Sequence, residues 1–204
     1  DISVFSLRSE KMIGVGEGAM ICTKKISIYN KMLLLASRNM PYRKSKYPYW
    51  KKYVSLGEGY NYLMPHVLAA IGCAQLKKID FIVKNKIRVG KLYQSIFEID
   101  NLQKKIKENT SVFWLNSIRF KNFSSKKVRF IGNYLMKKNI EVRSGFWPLH
   151  KTPNVKKIIV KKKDIAQKLF DTVLVLPSHI ELKKKDIFFF KKQINKSIKV
   201  FEKN

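Results

Sequence analysis

Acidic residues are scarce in this chain: 14 Asp and Glu stand against 43 Lys and Arg. Cysteine is scarcer still, with Cys22 and Cys73 far apart, no C-x-x-C pair and no clustered histidines. That absence excludes a disulfide framework and a zinc site of the usual spacing, and it predicts reduced, buried thiols in a cytoplasmic protein. No apolar run approaches the about 18 residues of a membrane span, and no secretory n-region and h-region open the chain. No membrane association is therefore expected. His66, His150 and His179 are the only histidines and none has metal-ligand spacing, so no metal is expected. A G-x-S-x-G nucleophile elbow is absent too. Neither internal repeats nor a low-complexity linker appear.

What is plentiful is lysine. The formal charge of +29 invites a nucleic-acid or anionic-surface reading. Two features oppose it. The basic residues are spread along the whole chain, and only seven are Arg, the side chain that base readout and bidentate phosphate contacts favour. A lysine-biased composition, with Ile and Asn also abundant, accounts for the charge, and no specific nucleic-acid partner is expected. The runs Lys161–Lys163 and Lys183–Lys185 then belong to solvated loop and helix-start surface.

Periodicity gives an α/β order. Ser3–Leu7 and Ala19–Thr23 read as strands around the glycine-rich turn Gly14-Val-Gly16-Glu-Gly18. Ile26–Ser37 reads as a helix, and Asn39–Glu58 as a loop rich in aromatic residues. Met64, Val67, Leu68 and Ile71 begin another helix. The series Ile79, Ile82, Val83, Ile87, Leu92, Ile96 predicts a long helix with one apolar stripe, suited to bridging two domains. Strand-like Ser111–Phe120, helical Ser125–Lys138, a short strand Glu141–Arg143, the strand Val173–Leu176 and a closing helix Ile187–Phe201 complete the pattern. Gly14-Val-Gly16-Glu-Gly18-Ala19 formally fits the dinucleotide fingerprint G-x-G-x-x-A. That fingerprint needs a helix immediately after it and an acid about 20 residues on. Residues 20–23 read as strand and positions 34–40 hold no acid, so a hairpin turn is the better reading.

Lys11 sits between the first strand and that turn, where an amine is held at a sheet edge and can form a Schiff base with a carbonyl. Four segments in order then carry a resemblance. They are Ser6 to Gly18, read as S-x-x-x-x-K-x-I-x-x-G-E-G in outline; Gly59-Tyr-Asn-Tyr-Leu-Met64 with Ala69-Ala-Ile-Gly-Cys-Ala-Gln-Leu76; Arg143-Ser-Gly-Phe-Trp-Pro-Leu-His150; and Leu174-Val-Leu-Pro-Ser-His179 with Leu182 and Asp186. Together they resemble the DegT/StrS-type nucleotide-sugar aminotransferases, with perosamine-type synthases matched around Phe146–His150.

The resemblance implies an aspartate-aminotransferase-like fold (pyridoxal-phosphate fold type I). This chain would be its C-terminal portion: residues 1–78 ending the large cofactor-binding domain, residues 79–204 forming a small α+β domain. It implies pyridoxal 5'-phosphate as cofactor, and glutamate and a nucleotide-linked 4-keto-deoxysugar as substrates, in the synthesis of cell-surface polysaccharide or a related glycan. Lys11 matches the lysine that bonds the cofactor and shuttles the proton. Ser6 matches a serine on the cofactor phosphate, and Asn61 an asparagine reaching that phosphate from the neighbouring subunit, hence a homodimer with shared active sites. Trp147 and His150 fall in the substrate-facing segment, whereas His179 is expected to be structural. Departures from the family pattern include Leu63, where Arg is frequent, together with Arg8, Glu10 and Ala19. The family's ring-pairing aspartate and stacking aromatic lie upstream of Asp1, so a longer protein is expected. The alternative is a decayed relative that serves as a basic anion- or nucleic-acid-binding module.

Overall fold

The computed structural model describes residues 1–41, 50, 53–98, 102, 111–155 and 164–203. The predicted loop around Tyr42, Tyr47 and Tyr49 and the run Lys161–Lys163 lie outside these. The chain divides into two compact units, Asp1–Asp80 and Phe81–Asn204, and each is described by itself.

In the first unit, β1 (Ile2–Ser6) pairs antiparallel with β2 (Ala19–Thr23), Ser6 opposite Ala19 and Ile2 opposite Thr23. The strand after Gly18 is what the hairpin reading required and what a dinucleotide fingerprint forbids. Apolar residues point to both faces of this ribbon, since Val4 opposes Ile21 and Phe5 opposes Met20. All four are exposed. Helix α1 (Ile26–Ala36) follows, and its last carbonyls are taken up by the Ser37 hydroxyl, which donates to Leu33 O at 2.8 Å and Leu34 O at 3.1 Å, and by backbone N–H groups. The Tyr60 N–H donates to Leu35 O at 2.7 Å and the Tyr62 N–H to Ala36 O at 2.9 Å. Helix α2 (His66–Leu76) closes the unit. Cys22 and Cys73 are both exposed, which corrects the expectation of buried thiols. Their strand and helix present apolar faces that nothing within this unit covers.

The second unit has a core. Helix α3 (Ile79–Ile96) begins at the boundary between the units. The sheet order is β3-β5-β4, all antiparallel, with β3 at Asn116–Arg119, β4 at Arg143–Ser144 and β5 at Val173–Leu176. Alternation puts Ile118, Leu174 and Leu176 on the buried face. Helix α4 (Ser125–Met136) turns Val128, Ile131 and Leu135 inward, the stripe that its sequence predicts. Its N-cap Ser124 accepts from the Lys127 N–H. Helix α5 (Ile165–Thr172) and helix α6 (Lys184–Lys203) complete the unit, α6 contributing Ile187, Phe190 and Ile194.

On α3 the buried residues are Val89, Gly90, Tyr93 and Ile96, whereas Ile79, Ile82, Val83 and Ile87 are half-buried. Of the predicted stripe, Ile96 joins the core and Leu92 packs against it, and Tyr93 adds a polar-tipped member to the buried face. Tyr93 can be buried because its hydroxyl donates to Pro177 O at 2.8 Å, and burial pushes its phenol pKa up. Lys86 and Arg88 fasten the same helix to the segments before β3 and after β5. The Lys86 amine donates to Trp114 O and Ser178 O, and the Arg88 guanidinium donates to Ile180 O and Leu182 O. Among the described residues no helix is long and apolar enough to cross a membrane.

Candidate functional site

The loop that carries Lys11 is an extension of the β1–β2 ladder. Beyond Ser6, Leu7 N–H donates to Gly18 O (2.9 Å), Ser9 N–H to Gly16 O (3.0 Å) and Val15 N–H back to Leu7 O (2.8 Å). Lys11 N–H then closes a tight turn onto Arg8 O at 2.9 Å. The side chain of Lys11 is half-buried. Ser6 ends the strand with its hydroxyl exposed, and its Oγ accepts from the Arg8 N–H at 3.5 Å, which leaves its own proton available to donate. Arg8 pairs with Glu10 at 3.5 Å and Glu17 at 3.7 Å across this loop, an exposed and weak set.

Two of the sequence motifs meet here. Val15, the buried residue of the loop, packs over α2 with Cγ1 3.3 Å from where a Cβ on Gly72 would stand. The Gln75 amide donates to Gly14 O at 3.3 Å. Gly18 adopts φ 136°, a left-handed value that strains any side chain, and a Cβ there would lie 2.5 Å from the Met64 methyl. The glycine-rich turn and the segments 59–64 and 69–76 therefore form one assembly around the Lys11 loop. The sequence motif contains Gly72 and Gln75, but their roles against the Lys11 loop emerge only from the fold.

Asn61 lies on an extended stretch bridged to Ser37. Tyr60 and Tyr62 stack at 4.9 Å between ring centroids, nearly parallel, so alternation turns Asn61 the other way. It is exposed.

Trp147 and His150 belong to the second unit. Trp147 is exposed over half its surface and meets the Phe170 ring edge-on at 5.1 Å. His150, in a short 3₁₀ turn (Leu149–Lys151), places Nε2 2.8 Å from Asp164 Oδ2. Asp164 also caps α5, its Oδ1 accepting from the Gln167 N–H at 2.8 Å. That backbone donor, aided by His150 and Lys151 against partial desolvation, holds the Asp164 carboxyl below its ordinary range. Sequence reasoning missed both α5 and Asp164. Asp164-Ile-Ala-Gln167 has the spacing of a capping box, the signal that marks a helix start. His179 is exposed after β5. Among the described residues no group of three His, Cys, Asp or Glu is placed to hold a metal ion.

The family model described as the DegT/DnrJ/EryC1/StrS aminotransferase family matches residues 1–191. GDP-perosamine synthase of Escherichia coli O157:H7 is 29% identical over 196 residues, 96% of this chain and 51% of that protein. GDP-perosamine synthase of Vibrio cholerae is 33% identical over 157 residues, 75% of this chain and 40% of that protein. Among solved structures, Helicobacter pylori PseC, an aminotransferase involved in the biosynthesis of pseudoaminic acid, superposes with a TM-score of 0.83 at 20% identity, covering 98% of this chain and 53% of that one. The aminotransferase TlmJ from Streptoalloteichus hindustanus gives 0.82 at 18% identity, with 98% and 53% covered. These likenesses show the fold. The chain spans about half the length of the curated relatives it matches.

Proposed function

Because this chain belongs to the DegT/DnrJ/EryC1/StrS aminotransferase family, with the α/β architecture of pyridoxal-phosphate fold type I, we propose that it forms the C-terminal half of a sugar aminotransferase. The reaction moves an amino group from glutamate to the keto carbon of a nucleotide-linked deoxysugar, leaving 2-oxoglutarate and an amino sugar. A GDP-linked sugar of the perosamine class is favoured, since three relatives named GDP-perosamine synthase are 29%, 33% and 32% identical to this chain. The observation that carries the reading is the Lys11 loop, locked by the hairpin ladder on one side and by Val15 and Gln75 against α2 on the other.

Pyridoxal 5'-phosphate suits the chemistry of this donor set. An exposed hydroxyl able to donate ends β1, a primary amine follows on the same ordered loop, and no acid stands between them except Glu10, which faces Arg8. Bound there, the cofactor supplies an electron sink for the bond broken at the substrate carbon. Ser6 holds the phosphate with a neutral donor. Lys11 takes the proton from the glutamate Cα and returns one to the sugar carbon, the general-base and general-acid work that a positioned amine performs. Asn61 serves the phosphate of the neighbouring subunit in a homodimer with shared active sites. Trp147 and His150 face the nucleotide sugar.

The spread of basic residues along the chain speaks against the basic-module alternative. The test uses the full-length reading frame that contains this chain. With pyridoxal phosphate and borohydride, the reduced adduct maps by peptide mass to Lys11; an adduct at another lysine, or none, overturns the assignment. Exchanging subunits between Asn61→Ala and Lys11→Ala proteins restores part of the activity if sites are shared. No recovery after verified exchange removes the shared site while leaving the Lys11 assignment intact.

A further inference from the structure

The segment Gly145–His150 is fastened at three points to α5 and to the strand that follows it. Gly145 N–H donates to Val173 O at 3.1 Å, and a Cβ on Gly145 would stand 2.9 Å from Leu169 O and 3.1 Å from Phe170 Cα, so a bare backbone is required for this approach. Trp147 rests its ring against Phe170. His150 is tied to Asp164, the N-cap of the same helix, in a contact where both side chains are more than two-thirds covered. One short helix thus sets the backbone, the indole and the imidazole of the segment.

We propose that Asp164 is the positioning residue for His150: it fixes the orientation and tautomer of the imidazole that faces the nucleotide sugar, and through α5 it keeps His150 in register with Trp147. This rests on the substrate-facing role proposed above. The two carboxylate oxygens divide the work. Oδ1 is committed to the Gln167 N–H and so cannot rotate away, which leaves Oδ2 aimed at His150 Nε2. An ionised carboxylate only accepts, so Nε2 must carry the hydrogen, and in the neutral ring Nδ1 is then an acceptor. A sugar hydroxyl is a complementary partner for that nitrogen. The depressed carboxyl pKa agrees, because it keeps Asp164 ionised wherever the ring is neutral.

Asp164→Asn separates this role from the helix cap. The amide oxygen still accepts from Gln167, but the NH₂ in the place of Oδ2 donates, so Nε2 has to accept and the hydrogen moves to Nδ1. In the full-length holoenzyme, with GDP-perosamine and 2-oxoglutarate as the reverse-direction substrates, Asp164→Asn is expected to raise KM for the sugar about tenfold, the loss of one hydrogen bond. KM for 2-oxoglutarate should stay within about twofold by the same logic, since that substrate makes no demand on His150. The His150→Ala, Asp164→Asn double variant should lose no more than His150→Ala alone. Additive losses, or an unchanged sugar KM in Asp164→Asn, overturn the proposal. Should Asp164→Asn perturb folding, Asp164→Ser keeps an N-cap oxygen yet is too short to reach His150, and the same split is expected.

A readout independent of activity separates this from the function itself. Nitrogen-15 shifts of the His150 ring at pH 8 should report hydrogen on Nε2 in the wild type and on Nδ1 in Asp164→Asn. If the tautomer switches but GDP-perosamine moves no His150 resonance, the substrate reading fails and the Asp164–His150 geometry stands. If the tautomer does not switch, the positioning role itself is wrong.

Discussion

In the first unit, Val15, Met40 and Pro41 are the buried apolar side chains among the described residues; in the second, fourteen join a single cluster from Val89 to Ile194. The first unit nevertheless carries Ser6, Lys11 and Asn61. Its order comes from backbone ladders and a few motif contacts, namely the hairpin, the tyrosine backbone capping α1, and Gln75 reaching Gly14. A two-stranded ribbon with apolar residues on both faces is marginal in water and needs cover from elsewhere. The second unit is built the other way, with three helices and a sheet closing over apolar residues and polar groups placed at its margin. The contrast teaches that the Lys11 loop is shaped locally by backbone ladders with little buried apolar surface, whereas the segment with Trp147 and His150 rides on a unit with a core of its own.

The strongest test of this contrast is to separate the units. A fragment of residues 81–204 should unfold cooperatively on heating and give dispersed amide resonances, whereas residues 1–80 should give neither. A well-dispersed spectrum from 1–80 alone would show that its exposed apolar strands need no cover, and the comparison would collapse.

Within this chain, Leu135→Ala in α4 removes a fully buried side chain and should cost roughly 2–5 kcal/mol by chemical denaturation. Val4→Ala in the hairpin, more than half exposed, should change stability by less than about 0.5 kcal/mol. Equal effects would mean that β1 is buried in solution.

Gln75→Ala sharpens the account of the first unit. It deletes the donor to Gly14 O, worth about 1 kcal/mol, and should speed amide exchange at Ser9, Lys11 and Val15 while leaving the second unit's protection unchanged.

The smallest effect concerns pH in the second unit. Asp164 is held below its ordinary value of 3.8, so its contribution to stability is complete above that pH and is lost as pH falls through the lower folded value. Asp164→Ala in the 81–204 fragment should therefore weaken the dependence of stability on pH below about 4, the unperturbed range of an aspartate. An unchanged pH profile would remove Asp164 from the acid response of this unit.

Much of this architecture was legible because the determining contacts repeat along the chain. The stripe Val128, Ile131, Leu135 on α4 faces one core at every turn, so its period survives in the sequence. The strand Val173–Leu176 and the hairpin strand Ala19–Thr23 were readable for similar reasons, being β-branched or apolar runs bounded by turn residues. On α3 the period was present, but Tyr93 was not legible as a core residue, because its burial depends on Pro177 O, 84 residues away. Spacing and the lack of partners predict buried thiols at Cys22 and Cys73, yet both are exposed, because exposure depends on what covers a strand and a helix.

By itself the sequence determined the family, through four motifs in order, and the order of most elements, through local periodicity; Lys11, Ser6 and Asn61 follow as site candidates from that resemblance. Only the tertiary structure decided that Gln75 and Gly72 hold the Lys11 loop and that Asp164 meets His150 across 14 residues. Those pairings join groups with no shared period, and chain folding alone brings them within hydrogen-bond reach.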